Sequence, residues 1–185
     1  MKLIDPLEII KDLRLGVSEI KEFFSQNAID LFENIDGSGL TILHYAIMEQ
    51  RDPKIIKFLC DNMAKVGARE SKSGVTARSS ALHVACIVKD IVSLRILISS
   101  GMFDINKRDE KGQTAAYICA ANGAHEMLKE ILLFGGSQSI VGPKNATPLC
   151  IAADRGWVKC VEILLEDSPG REIFSKFIED GRSVM

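Results

Sequence analysis

The residues of this chain that could do chemistry are few and scattered. His83 and Cys86 stand three apart in SALHVACIV, a spacing that puts an imidazole and a thiol near one face of a helix. A thiol activated by a neighbouring base is a nucleophile, but no acid is placed to orient this ring. His44 stands in the similar run TILHYAI, and His125 falls near the surface start of a later helical stripe. The cysteines are Cys60, Cys86, Cys119, Cys150 and Cys160. Their number is odd, none forms a C-x-x-C pair, and all sit in apolar helical stretches, which reads as reduced core thiols. Three histidines and five dispersed cysteines give no zinc-ligand spacing. The chain carries neither a G-x-x-x-x-G-K-[ST] phosphate loop nor a G-x-S-x-G elbow. The expectation is a chain that is not an enzyme, with no catalytic residue, no cofactor and no metal.

The elements that position these side chains recur. His44 lies in TILHYAI (41–47) and His83 in SALHVAC (80–86), and two further runs follow, TAAYICA (114–120) and TPLCIAA (147–153). Their starts are 39, 34 and 33 residues apart. Each is followed by a second apolar stripe at helical spacing: IIKFLC (55–60), SLRILI (93–98), MLKEILL (127–133) and CVEILL (160–165). Thr41, Ser80, Thr114 and Thr147 stand where an N-cap hydroxyl would accept an N–H from the first turn. Pro148 follows at the first helical position, where its missing N–H costs nothing. Gly123 and Gly156 mark helix ends that need a left-handed residue. Ala46, Ala85, Cys119 with Ala120, and Ala152 with Ala153 are small enough to let neighbouring first helices approach closely. Two short helices joined by a tight turn cannot bury their own stripes, so each pair must pack against the next.

A period near 33 with this signature resembles the ankyrin repeat, whose T-P-L-H-x-A motif is matched in phase four times. The fuller lead of Asp, two residues, Gly, one residue and Thr is present as DGSGLT (36–41) and DEKGQT (109–114). Asp104-Ile-Asn106 after Gly101 is similar to the family's lead into the next repeat, and the resemblance spans roughly 36–168. It implies an all-α solenoid of stacked helix-turn-helix units with short β-hairpin-like loops. The expected divisions are an N-terminal capping repeat (1–35), repeat 1 with a long loop (36–74), repeats 2 (75–108), 3 (109–141) and 4 (142–168), and a C-terminal capping helix (169–185). That last segment reads equally as the start of a further repeat. In this family His44 and His83 would hydrogen-bond backbone across repeats, with Tyr117 and Cys150 in the same place further on.

The resemblance also implies a non-catalytic module that binds a partner protein or peptide on the concave side, built from loop tips and first helices. By register the loop tips offer Leu40, Ser79, Lys111, Gln113 and Lys144. The first helices and their turns add Met48, Glu49, Ile87, Val88, Asn122, Asp154, Arg155 and Trp157. Met48, Ile87 and Val88 would form an exposed apolar centre with a polar rim, the anatomy of a protein interface. The competing reading packs Ile87 and Val88 under the long loop. Trp157 reads first as packing between adjacent turns and second as a contact. The 64–80 stretch, with Lys65, Arg69, Lys72 and Arg78, reads as a tolerated insertion or as a specificity finger. Glu130 stands where other second helices carry Phe58, Ile96 and Ile163, which suggests a solvated helix edge or a partner's cover.

Composition narrows the classes. Hydrophobic residues are 46% and charged residues 26%, enough apolar material for a packed core. A formal charge of −2 and a pI near 6.0 count against nucleic acid as the partner. No apolar run approaches the ~18–20 residues that span a bilayer, so no membrane insertion is expected. The start MKLIDPLEIIKDLR carries acidic residues and a proline where a secretory signal is apolar. Together these predict a cytoplasmic chain, and because a capped stack needs no second copy it is expected to be monomeric by itself. The alternative is an N-terminal targeting domain of a larger enzyme, or of a bacterial effector delivered into the cytosol of a host cell.

Overall fold

The computed structural model describes residues 6–12, 15–27, 31, 40–65 and 80–166. Ser79, most of the long 64–80 stretch and the 169–185 segment lie outside them. Among the described residues ten α-helices pair in order: α1 (Pro6–Lys11) with α2 (Val17–Gln26), α3 (Ile42–Met48) with α4 (Pro53–Lys65), and α5 (Ala81–Val88) with α6 (Ile91–Ser100). Then come α7 (Ala115–Asn122) with α8 (His125–Leu133), and α9 (Pro148–Asp154) with α10 (Val158–Leu165). The first helices touch in the order α1, α3, α5, α7, α9, and the second helices in the order α2, α4, α6, α8, α10. This is a single-file stack of two helical layers, and no strand is formed among the described residues.

The packing follows from residue size. Ala46, Ala85, Ala120 and Ala152 are fully buried between successive first helices. The larger apolar residues fill the space between the layers, with Leu43, Ile47, Ile56, Leu59, Leu82, Leu94, Leu97 and Leu128 essentially inaccessible. Each such side chain contributes about 1.5–3 kcal/mol through burial. Ile10 and Ile20 extend the same core into α1 and α2.

Backbone polar groups at the helix ends are satisfied in a repeated way. Thr114 Oγ1 accepts from Tyr117 N–H and Thr147 Oγ1 from Cys150 N–H, both at 3.2 Å. At the first two caps the N–H of Thr41 and of Ser80 donates to Nδ1 of His44 and His83, both at 3.1 Å. At the other end α3, α5, α7 and α9 close with the same long bond: Arg51 N to Ala46 O, Asp90 N to Ala85 O, Ala124 N to Cys119 O and Trp157 N to Ala152 O, at 2.9–3.0 Å. The residue before each donor is left-handed, with φ of 49° at Gln50, 59° at Lys89, 69° at Gly123 and 72° at Gly156. Glycine marks only two of these four ends.

Contacts between repeats hold the loops in register. Ser80 N–H occupies Nδ1 of His83, so Nε2 carries the proton and donates to Gln113 O of the next loop at 3.0 Å. Tyr117, in the same place one repeat on, packs its ring against Gly142, where a Cβ would come within 2.7 Å. Asn106 donates to Gly135 O and accepts from Ser137 N–H, tying its loop to the following one. The loop tips are pinched by Asp109 N–H to Gln113 O and Gly142 N–H to Ala146 O, both at 2.8 Å. At the amino end Arg51 is buried, and its guanidinium donates to Asp12 O at 3.2 Å and Leu15 O at 2.6 Å.

Two consequences can be measured. Burial pushes the His83 pKa below its ordinary 6.5, against smaller opposing contributions from Asp109 and the backbone acceptors. Between that lowered value and 6.5 the unfolded chain takes up the extra proton, so the stabilisation is full above 6.5 and falls as pH drops below it. His83→Gln is expected to have a lower Tm at about pH 7.5, with the gap to wild type narrowing toward about pH 5. Parallel curves would contradict this role. Arg51→Ala removes charge-assisted bonds to two carbonyls and is expected to cost about 2–4 kcal/mol, read as a lower urea midpoint with faster amide exchange in α1 and α2.

Candidate protein-binding face

The first helices and loop tips carry the residues that register placed on one face. Met48 and Ile87 hold the same position, seven residues past the N-caps Thr41 and Ser80, on the adjacent helices α3 and α5. They are 45% and 55% exposed, which makes a side-by-side apolar pair open to solvent. The next two places in that row are Ala121, which is buried, and Asp154, which is exposed. Glu49, Lys111 and Lys144 are exposed, while Gln113 and Asn122 are half-buried.

Val88 departs from its expected exposure. It is half-buried and packs on the core, because it continues the buried stripe of Ala81 and Ala85 along α5. Leu40 is likewise half-buried against the core. Arg155 and Trp157 remain accessible, yet both are tied into the stack. Arg155 Nη1 and Trp157 Nε1 donate to Ala121 O of the preceding repeat at 2.7 and 3.0 Å. The indole lies so close over Gly123 that a Cβ there would meet Trp157 Cδ2 at 2.6 Å.

The residues weighed for chemistry hold structural posts. Both ring nitrogens of His83 are engaged, by Ser80 and by Gln113, so neither is left to activate Cys86. Cys60, Cys86, Cys119 and Cys160 are buried free thiols. Burial pushes Cys60 up to about 12 and raises Cys160 as well, while the neighbouring Cys86 and then burial raise Cys119. These shifts disfavour the reactive thiolate. Cys150 departs from the expected core placement: it is exposed, and the Thr147 hydroxyl lowers its pKa. The same place in α3, α5 and α7 is buried, but among the described residues no further loop follows to cover it in α9. No group of three potential metal ligands forms among the described residues, and no described helix is long and apolar enough to cross a membrane.

The other helical layer holds features that the sequence reading left open or passed over. Glu130 accepts from Arg95 Nη2 at 2.6 Å and Nε at 3.0 Å, so its charge is met by the adjacent repeat. With the Arg95 side chain 58% exposed the pair is worth under about 1 kcal/mol. Leu133 and Phe134, at the end of α8, are exposed apolar residues. Repeat register gives the signal for them, since neighbouring repeats carry Ser99 and Glu166, or Ser100 and Asp167, in those places.

Comparison with known proteins places this architecture. A model of ankyrin repeats in many copies matches residues 82–129, and a single ankyrin repeat model matches 38–71 and 144–173. The human transient receptor potential cation channel subfamily A member 1 is 24% identical over 174 residues, covering 91% of this chain and 15% of that protein. The mouse B-cell lymphoma 3 protein homolog is 27% identical over 161 residues, covering 85% of this chain and 35% of that protein. The mouse nuclear factor NF-kappa-B p105 subunit is 30% identical over 138 residues, 75% of this chain and 13% of that protein. The chain thus spans about a third or less of the length of these relatives. With family models matching more than half of its residues on a stack of paired helices, the chain belongs to the ankyrin repeat family.

Proposed function

We propose that this chain is a non-catalytic interaction module that binds a protein or peptide partner across its first helices and loop tips. Ankyrin repeats generally mediate protein–protein interaction. The observation that carries the finer reading is the exposed pair Met48 and Ile87, adjacent on α3 and α5. Apolar side chains held side by side, with Glu49 next in sequence to Met48 and the exposed Lys111, Lys144 and Asp154 on the following repeats, resemble the apolar centre and polar rim of an interface. The rigid stack keeps them pre-organised, so little conformational entropy is lost on binding.

A second reading is favoured by the coverage of the relatives: the module serves as the targeting portion of a longer protein. The aligned relatives include a cation channel and a nuclear factor subunit, which fits a unit whose partner is set by its own surface residues.

The test is quantitative capture of cellular proteins on wild-type chain and on Ile87→Asp and Met48→Asp. An apolar anchor at an interface centre contributes about 2 kcal/mol, roughly thirtyfold in affinity. At least one protein bound by the wild type is expected to fall by tenfold or more on both variants, with their circular dichroism unchanged. Retention of every bound protein by folded variants would overturn the assignment of this face.

A further inference from the structure

The carboxyl end of α7 is bound from both sides. A helix leaves its last four carbonyls without intrahelical partners. In α7 the turn itself takes the first two: Cys119 O accepts from Ala124 N–H at 2.9 Å, and Ala120 O from Gly123 N–H at 3.5 Å. The remaining two are met by other repeats. Ala121 O accepts from Arg155 Nη1 and Trp157 Nε1 of repeat 4, and Asn122 O accepts from Lys89 Nζ of repeat 2 at 3.1 Å. Two cations therefore converge from opposite neighbours on the negative end of one helix dipole. The Trp157 ring lies against Gly123, the left-handed residue that closes the helix.

The geometry assigns Lys89, Arg155 and Trp157 to a joint at the α7 carboxyl end that makes repeats 2, 3 and 4 one cooperative block and sets where α9 stands relative to α5. Arg155 and Trp157 are positioning residues: they act on the face through the α7 carbonyls. The assignment stands apart from the partner-binding reading, because each measurement below uses the isolated chain. In a linear stack the coupling between neighbours decides whether an end repeat opens alone or with the rest.

Trp157 is the only tryptophan in the chain, so its emission reports this joint while circular dichroism reports all helices. In urea the two transitions of the wild type are expected to coincide. In Arg155→Ala the emission transition should move to lower urea than the dichroism transition, and Arg155→Lys, which keeps a donor, should restore most of the coincidence. Separate transitions in the wild type, or coincident ones in a folded Arg155→Ala, would overturn the joint. Amide exchange gives a second route. Repeats that open as one block lose protection as one, so Trp157→Ala should speed exchange of the slowest amides in α5 to α10 about equally, by at least tenfold. A rise confined to α9 and α10 shows that repeat 4 opens by itself and overturns the block. Gly123→Ala combined with Trp157→Ala completes a cycle. The added Cβ meets the indole only when the indole is present, so the two effects on α9 opening should be non-additive by about tenfold. Additive effects would also overturn the joint.

Discussion

The stack depends on how closely consecutive first helices can approach. Ala46, Ala85, Ala120 and Ala152 are fully buried at those contacts. Replacing one with a larger residue would push apart two helices whose loops are tied by bonds of fixed length, such as His83 to Gln113 and Asn106 to Gly135 and Ser137. The apolar layer between first and second helices is filled by leucine and isoleucine, which tolerate some repacking. The narrow contacts have no such slack, so the rest of the architecture inherits its spacing from them.

Close approach also leaves backbone groups to be satisfied where water is excluded. The first helices α3, α5, α7 and α9 end with the same long closing bond, and this forces the preceding residue into the left-handed region. Gly123 and Gly156 adopt it freely, whereas Gln50 and Lys89 do so at a cost on the order of 1–2 kcal/mol. For Lys89 a compensating contact is visible, since its side chain reaches Asn122 O. A glycine there would remove the strain and the contact together.

Much of this was legible from spacing. The four caps, Pro148, the small residues and the partner-layer stripes all sit at fixed offsets, and a helix with a known start has known faces. What escaped depends on neighbours rather than on local pattern. Val88 is the exception, since it lies three and seven residues past the buried Ala85 and Ala81 on one stripe of α5. Cys150 reads as a core thiol by its surroundings in sequence, yet burial at that position requires a loop from the next repeat. Arg95 and Glu130 lie 35 residues apart, so their pairing appears only when two repeats are laid side by side. The left-handed states of Gln50 and Lys89 follow from the closing bond and leave no mark in residue type.

The face divides along the stack. Its amino-terminal part, on α3 and α5, presents Met48 and Ile87 to solvent. Toward the carboxyl end the corresponding row passes to buried Ala121, and the flanking polar side chains Arg155 and Trp157 are bonded to α7. A side chain already holding a carbonyl must give up that bond before it can serve a ligand, and the carbonyl left behind in a partly buried site loses its partner as well. Met48 and Ile87 carry no such obligation, since covering them with another apolar surface removes water at no cost in hydrogen bonds. In the binding mode we propose, the free energy of association is therefore concentrated on α3 and α5, and the carboxyl-terminal repeats contribute by holding those helices in place.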